Sequence, residues 1–227
     1  MHILSKSRFI RGLQCEKALY LETYRKELAV VSIETRAKFA QGRSFERTFK
    51  DTFPQGIDID EQLGRQVDKY PELTAHLLEQ TGDVVLFEAG FLYQGVLVLA
   101  DVVHKHVDGS VEVMEVKNSS VVKPVFRNDV YVQHYVISHA ISNLCGFSVV
   151  YRGADDEHPF AYLDLMEEAE QHAAFIEEQI QRFTSLLNRK QEPVIAMGDQ
   201  CNQPYECPFK DYCSHPQPIQ LSLDFDN

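Results

Sequence analysis

The order of apolar and polar positions along the chain predicts a mixed α/β domain. Val and Leu dominate residues 84–116, where Asp108-Gly109 marks a hairpin turn between two extended runs. Residues 167–188 instead repeat their apolar positions at the spacing of an amphipathic helix. The predicted strands are 84–93, 96–104, 111–116 and 147–151, and the predicted helices are 12–24, 33–52, 71–80, 129–144 and 167–188. This order of elements predicts an α+β fold, in which helices flank a mixed sheet.

Two carboxylates and an ammonium fall on neighbouring predicted strands. Asp101 lies on one strand, and Glu115-Val116-Lys117 begins fourteen residues later at the end of the next. Because side chains alternate across a strand, Glu115 and Lys117 leave the same face and can meet Asp101. Asp101 also interrupts a nearly unbroken apolar run, where an unpartnered carboxylate is costly. The spacing therefore predicts a site at which these three charges converge.

Such a site suits the hydrolysis of phosphodiester bonds. Mg²⁺ and Mn²⁺ prefer oxygen ligands, so Asp101 and Glu115 would hold the ion, with the carbonyl of Val116 as a further ligand. The ion would acidify a water molecule, while Lys117 would orient that water and stabilise the developing negative charge. The alternative interpretation is an ordinary hairpin with exposed charges, because an acid followed by Glu-x-Lys is common by chance.

On these residues the chain resembles the PD-(D/E)XK nuclease superfamily, whose motif Asp101 and Glu115-Val116-Lys117 match. The resemblance implies a restriction-endonuclease-like fold with a mixed sheet core flanked by helices. RecB-like members carry Gly-x3-His or Gly-x3-Glu in the helix before the sheet, and Gly42-Arg-Ser-Phe-Glu46 is similar. The resemblance thus implies that Glu46 is an additional metal ligand. Without the resemblance, the simpler interpretation is that Glu46 is an exposed acid on a helix.

The same resemblance adds residues from the helix that follows the motif. Gln133 matches the glutamine of the family, which a tyrosine usually follows four residues later. Here Ile137 takes that position, and Tyr131 and Tyr135 flank Gln133 instead. We assign Gln133 and Tyr135 to the predicted active site. Glu88, on the first predicted strand, either contacts the active-site residues from outside the site or has only a structural role.

Four cysteines bracket the predicted nuclease core. Cys15 lies near the N-terminus, and Cys201, Cys207 and Cys213 form a C-x5-C-x5-C cluster. This arrangement resembles the iron-sulfur branch of RecB-like exonucleases, which includes the CRISPR-associated exonucleases, and implies a 4Fe-4S cluster on the four thiolates. The usual C-x2-C of that branch is absent. The Ser-Lys-Ser-Arg-Phe start and the Pro-Tyr-x-Cys-Pro-Phe ending resemble a less studied related group.

The implied cluster would join the N- and C-terminal segments of the chain, and its binding energy would then contribute to folding. The alternative is a structural zinc, held by the same four thiolates or with His215 replacing Cys15. Cys145 is left over in an apolar stretch, where we expect a small buried thiol.

The charge distribution bears on a nucleic-acid partner. The net charge of −12 at first argues against one, because phosphate binding favours a basic surface. Residues 1–50, however, carry 11 Lys and Arg against 5 acids, while the remainder carries 11 against 29. This basic segment would line a DNA channel, although solvated helix-face charges are an alternative interpretation. The candidate DNA-binding residues are Lys6, Arg8, Arg11, Lys17 and Arg43.

The chain is expected to form a single nuclease domain, residues 1–215, followed by a flexible tail, residues 216–227. In that tail Gln220, Leu221, Leu223 and Phe225 resemble the bacterial sliding-clamp-binding peptide, and tethering to the clamp would raise the local concentration at DNA. Alternatively, the apolar tail residues pack on the domain. No stretch has the length and hydropathy of a signal peptide or membrane span, so we expect a cytoplasmic protein that binds no membrane.

These features together predict a Mg²⁺- or Mn²⁺-dependent DNA exonuclease that acts on single-stranded DNA or DNA ends, in repair, replication or defence. A noncatalytic DNA-binding or clamp-associated adaptor on the same scaffold is the alternative class. A restriction-type endonuclease fits the metal site but leaves the four cysteines unexplained.

Overall fold

The computed structural model describes residues 3–215 and has a seven-stranded mixed sheet at its centre. The strands are β1 (Leu4–Ser5), β2 (Ile57–Asp58), β3 (Val84–Tyr93), β4 (Val96–Lys105), β5 (Val111–Lys117), β6 (Leu144–Arg152) and β7 (Phe160–Asp164). The helices are α1 (Lys6–Gln14), α2 (Glu16–Tyr24), α3 (Ile33–Lys50), α4 (Ile59–Leu63), α5 (Tyr70–Leu78), α6 (Pro124–Ala140), α7 (Met166–Gln171), α8 (Ala173–Arg189) and α9 (Lys210–Ser214). Helices flank the sheet, as predicted.

The sheet order is β2-β3-β4-β5-β6-β7. The pairs β3–β4, β4–β5 and β6–β7 are antiparallel, whereas the pairs β2–β3 and β5–β6 are parallel. Strand β1 pairs with β4 at Val96 and Leu97, whereas β5 pairs with β4 from Val102 to Lys105. Because β3 lines the other edge of β4 throughout, β1 and β5 share one edge. Between these two pairings, the middle of β4 has no partner strand on that edge within the described residues.

Hydrophobic clusters cover both faces of the sheet. The larger one joins the sheet to α5, α6 and α8 through residues such as Leu77, Val136 and Phe183. The smaller one packs Phe49 of α3 against Val102 and its neighbours. These layers fix α3 and α6 on the sheet, and both helices carry side chains of the candidate site.

Two predicted helices are interrupted. The helix predicted at 12–24 is in fact α1 and α2, because Cys15 between them is extended, with φ −165° and ψ 120°. The helix predicted at 167–188 divides into α7 and α8 at His172. Helix α1 begins at Lys6 because the Ser5 side chain accepts the N–H of Arg8 at 3.3 Å. The sequence prediction also missed β1, β2 and β7.

The prediction that Cys145 is buried is wrong, because its side chain is exposed. In the pairing of β5 with β6, Val111 lies opposite Leu144 and Glu112 opposite Gly146, so Cys145 is the extra residue of a bulge. A bulged residue is removed from the regular alternation of the strand.

Two further predictions concern membranes and the tail. Within residues 3–215, the structure contains no helix with the length and apolar character needed to cross a bilayer. The predicted tail and its clamp-binding residues Gln220, Leu221, Leu223 and Phe225 lie outside the described residues.

Candidate active site

The candidate site is centred where β5 separates from β4. Their pairing ends with Val102 opposite Met114. The next residue of β4, Asp101, accepts the N–H of Val116 on its Oδ2 atom at 2.7 Å. The carboxylate thus satisfies a backbone donor that has left the ladder, as a buried N–H requires. This geometry holds Asp101 at the fork between the two strands.

Glu88 lies opposite Asp101 on β3 and has a left-handed backbone, with φ +54°. Leu86 and Ala89 are three residues apart yet belong to the same hydrophobic cluster, as do Ala100 and Val103 on β4. In a regular strand such residues would face opposite sides. The alternation therefore slips by one residue on both strands at the level of Glu88 and Asp101. Non-glycine residues with positive φ are uncommon and often mark functional sites.

Glu46 of α3 joins these two acids. Carboxylate oxygens of Glu46, Glu88 and Asp101 all lie within 4.8 Å of one another. Lys50, one helical turn after Glu46, has its Nζ atom 2.6 Å from Glu46 and 2.8 Å from Glu88. Burial raises the pKa of Glu88 more than the charge of Lys50 lowers it. The three oxygens form a group of hard donors that Mg²⁺ and Mn²⁺ prefer.

Glu115 is 1% exposed and is surrounded by donors. Its carboxylate lies 2.9 Å from Lys6 Nζ and 2.6 Å from Lys117 Nζ, and it accepts the Gln133 side-chain N–H at 2.7 Å. Burial alone would raise the pKa of Glu115, but Lys117 and Lys6 outweigh it and lower the pKa to about 2. Glu115 is therefore ionised at neutral pH.

Lys117 bridges β5 and α6. Its Nζ atom lies 2.6 Å from Asp129 as well as from Glu115. Burial would lower the pKa of Lys117, but Glu115 and Asp129 raise it well above the ordinary value. Gln133 also donates to the backbone carbonyl of Asp129 at 3.0 Å, which fixes the amide beside the carboxylate. Lys117 is thus a permanent cation held between two acids.

Asp101 behaves in the opposite way to Glu115. Burial and the negative charge of Glu115 raise its pKa to about 8, against the smaller effect of Lys6. The metal-free site therefore keeps a proton on Asp101 at neutral pH. With every group ionised, the site would contain five carboxylates and three ammonium groups, an excess of two negative charges. These groups are Glu46, Glu88, Asp101, Glu115, Asp129, Lys6, Lys50 and Lys117.

Most of the predicted site residues meet in this structure. Asp101, Glu115, Lys117, Glu46 and Gln133 come together. Val116 donates its N–H to Asp101, and the predicted role of its carbonyl as a metal ligand stays a prediction. Tyr135 lies elsewhere, because its ring packs on Tyr93 and His139 and its hydroxyl is 3.5 Å from Gln94 Oε1.

The predicted DNA-binding residues have other partners, apart from Arg43, which is exposed on α3. Lys6 contacts Glu115 in the site itself, and Arg8 donates to the carbonyl of Ile3 at 3.2 Å. Arg11 pairs with Glu22 at 3.1 Å, and Lys17 with Glu192 at 3.0 Å. Three of the five candidates, Lys6, Arg11 and Lys17, therefore pair with acids of the protein itself.

Sequence reasoning missed three residues of the site, namely Lys6 as a partner of Glu115, Lys50 and Asp129. Lys6 is remote from the motif in the chain, whereas Lys50 lies one helical turn after Glu46 and Asp129 one turn before Gln133, a spacing that could have indicated both. For Lys6 the available indication was the excess of Lys and Arg in residues 1–50.

The four predicted ligand cysteines line one small cavity, together with Lys17 and Lys210. Cys15 lies between α1 and α2, and the other three come from the segment after α8. Burial raises the pKa values of Cys207 and Cys213, and the neighbouring thiols add to this. Among the residues that the structure describes, no three of these sulfur atoms lie within 4.8 Å of one another. The cavity offers four soft donors suited to a metal centre.

Comparisons with known proteins add little. No protein-family model matches the chain, and no curated protein matches it. A solved structure described as "Crystal structure of SSO0001" has 14% sequence identity and a TM-score of 0.42, over 78% of this chain and 75% of that chain. A likeness this distant carries no argument about function.

Proposed function

We propose that the protein is a Mg²⁺- or Mn²⁺-dependent deoxyribonuclease of the PD-(D/E)XK class, acting as an exonuclease on single-stranded DNA or DNA ends. The observation that carries the proposal is the convergence of the Glu46, Glu88 and Asp101 oxygens within 4.8 Å, beside Glu115 and Lys117. An excess of two negative charges in the fully ionised site supports a divalent cation as its counter-charge. The choice of DNA and of strand ends rests on the resemblance to iron-sulfur RecB-like exonucleases.

Each side chain has a distinct task in this proposal. Glu46, Glu88 and Asp101 would hold the divalent ion, with Glu115 next to them. When bound, such an ion lowers the pKa of water and offsets negative charge on the phosphate. Lys117 would donate hydrogen bonds to a phosphate oxygen rather than accept a proton, because its pKa is raised well above the ordinary value. Asp129 and Glu115 keep that ammonium group oriented.

We further propose a 4Fe-4S cluster on Cys15, Cys201, Cys207 and Cys213. The four thiols share one cavity. A tetrahedral zinc with Zn–S bonds of about 2.3 Å would require sulfur atoms about 3.8 Å apart. No three of the four sulfur atoms, all of which the structure describes, lie within 4.8 Å of one another, so zinc would require the thiols to move closer together. The choice of a 4Fe-4S cluster rests on the resemblance to the iron-sulfur RecB-like exonucleases. Lys17 and Lys210 would offset the negative charge of the cluster.

The test uses anaerobically purified, iron-loaded protein with single-stranded and duplex DNA labelled at the 5′ or 3′ end, in Mg²⁺ or Mn²⁺. We expect products that shorten from one end and no cleavage of circular DNA. Glu115→Gln, Asp101→Ala and Lys117→Ala should each reduce the rate by about 100-fold or more. Glu112→Gln is the matched control, because Glu112 lies on the same strand with a half-exposed side chain.

The outcomes separate the functional classes. Cleavage of circular DNA would indicate an endonuclease. DNA binding without cleavage, by folded and iron-loaded protein, would overturn the catalytic proposal and leave the adaptor. Equal activity of Glu115→Gln and Glu112→Gln would show that the activity comes from another site or a contaminant.

A further inference from the structure

Two histidines and an aspartate meet at the end of the sheet where β3 begins and β4 ends. Asp83 directly precedes β3, His104 lies on β4, and His106 directly follows that strand. His104 pairs with Val85 of β3, and the same antiparallel register, continued by two residues, sets Asp83 opposite His106. Side chains two residues apart on a strand leave the same face. The pairing of β3 with β4 thus gathers the three side chains on one face of the sheet.

The donor atoms of these side chains lie close together. A carboxylate oxygen of Asp83 and a ring nitrogen from each of His104 and His106 all lie within 4.8 Å of one another. Nε2 of His104 is 2.9 Å from Oδ1 of Asp83, and the centroids of the two imidazole rings are 4.2 Å apart. Both imidazoles are partly buried, and the ring of Phe53 packs edge-on against His104. This packing restrains one imidazole beside two further donors.

The histidine group is separate from the other two candidate sites. His104 is three residues from Asp101 along β4, which is about 10 Å in an extended strand. None of the three side chains lines the cysteine cavity. The donors also differ in kind, because Mg²⁺ and Mn²⁺ prefer oxygen ligands whereas imidazole suits Zn²⁺ and similar transition metals. The chain can therefore bind a hard ion and a zinc-like ion in different places.

We propose that Asp83, His104 and His106 bind Zn²⁺, which joins the beginning of β3 to the end of β4. Two imidazoles and a carboxylate are established zinc ligands, and water completes the tetrahedron. The N–H of His106 donates to the carbonyl of Ser110 at 2.9 Å, so the ion would also fix the turn that leads into β5.

The competing explanation is that each imidazole only forms an ion pair with a nearby acid. His104 would pair with Asp83. His106 would pair with Glu112, whose Oε2 atom is 3.5 Å from its Nε2 atom. In such ion pairs both rings would be charged and would repel each other at their close spacing, whereas zinc binds both as neutral ligands. The contact between the two rings therefore favours a shared metal ion.

The test measures zinc affinity by competition with a chromophoric chelator, using anaerobically purified protein whose cysteine cavity is already loaded with metal. Excess Mg²⁺ occupies the carboxylates but competes poorly for imidazole. Wild type should bind one further zinc ion. His104→Ala and His106→Ala should each weaken this binding by at least about 100-fold, because even the loss of an outer partner of a metal ligand costs about 10- to 100-fold. Asp83→Asn should weaken it in the same direction.

His158→Ala is the matched control. His158 lies 3.2 Å from Asp155 in a similar pair, and among the residues that the structure describes no third candidate ligand joins them within 4.8 Å. Iron and zinc content are measured for every variant before the titration, so that metal in the cysteine cavity is not counted. This variant should bind zinc as wild type does.

Thermal melting gives a second measurement of the same site. Zinc at about 100 times its dissociation constant should raise the melting temperature of wild type by about 5–10 °C, and that of His104→Ala by far less. Without added zinc, His106→Ala and Asp83→Asn should melt within about 2 °C of wild type, because neither side chain is fully buried. This comparison separates the loss of a ligand from a general loss of packing.

Zinc affinities of His104→Ala and His106→Ala within about twofold of wild type would overturn the inference and leave two ordinary ion pairs. An equal loss in His158→Ala would overturn it as well, because zinc would then be binding to scattered surface histidines. If His104→Ala fails to fold, His106→Ala and Asp83→Asn, at more exposed positions, decide the question. No DNA cleavage is measured here, so this inference and the proposed nuclease can fail independently.

Discussion

Lys6 and Glu115 lie 2.9 Å apart although 109 residues separate them in the chain. Lys117 contacts the same carboxylate, so two ammonium groups share one buried acid. The first helix is therefore part of the candidate site and more than a basic surface beside it. This arrangement has consequences for stability as well as for chemistry.

Lys6→Met is expected to reduce the free energy of unfolding at pH 7 by about 1.5–3 kcal/mol, because Glu115 loses a charged hydrogen-bond donor. Glu115 has a lowered pKa in the folded protein, so its stabilising contribution is present above about 4.5 and is lost as the pH falls towards 2. Urea unfolding at neutral pH measures the loss. Lys26→Met, at an exposed position, should change stability by less than about 0.5 kcal/mol. Equal stability of the two variants would contradict the importance of the Lys6–Glu115 pair.

Binding of Mn²⁺ should depend on pH through Asp101. The metal-free protein holds a proton on this residue up to about pH 8, and the ion must displace it. The affinity should therefore rise by about tenfold per pH unit below pH 8 and level off above it. Electron paramagnetic resonance of free Mn²⁺ measures this directly. Asp101→Asn should bind weakly and lose this slope. An affinity that is flat across this range in wild type would show that Asp101 is not a ligand.

Replacement of one of the proposed ligand cysteines should prevent binding of the proposed cluster and destabilise the fold. Cys201→Ser and Cys207→Ser are expected to lose iron and labile sulfide and to melt about 10 °C lower, which corresponds to a few kcal/mol for a chain of this size. Cys145→Ser is the matched control, because Cys145 is exposed on β6. Iron and sulfide assays with thermal melting measure the difference. Stoichiometric zinc in the wild-type protein would contradict the cluster.

Gly12→Ala should destabilise the protein although alanine favours helices. A Cβ atom at Gly12 would lie 2.7 Å from Cε2 of Phe183, at the contact between α1 and α8. Overpacking of this kind costs about 1–3 kcal/mol. Gly42→Ala in α3 meets no atom within 4 Å and should stabilise by about 0.5–1 kcal/mol. If urea unfolding gave Gly12→Ala the same free energy of unfolding as Gly42→Ala, the Phe183 ring would move aside without any loss of stability.

The amino-acid sequence by itself determined the central strands and the meeting of Asp101 with Glu115 and Lys117. Strand periodicity is local, and a two-residue repeat along β5 places Glu115 and Lys117 on one face. A tight turn at Asp108-Gly109, where Gly109 has φ +89°, then brings β5 beside β4. The grouping of the four cysteines at one site was also predictable, but only through the resemblance to a family.

Only the tertiary structure decided the rest of the site. Lys6, Lys50 and Asp129 reach it from α1, α3 and α6, whose approach depends on packing across both faces of the sheet. The role of Glu88 follows from a slip in the alternation of faces along β3 and β4, which the sequence pattern does not reveal. A buried charge is stabilised by whichever partner the fold brings near it, and proximity in space carries no signature in sequence spacing.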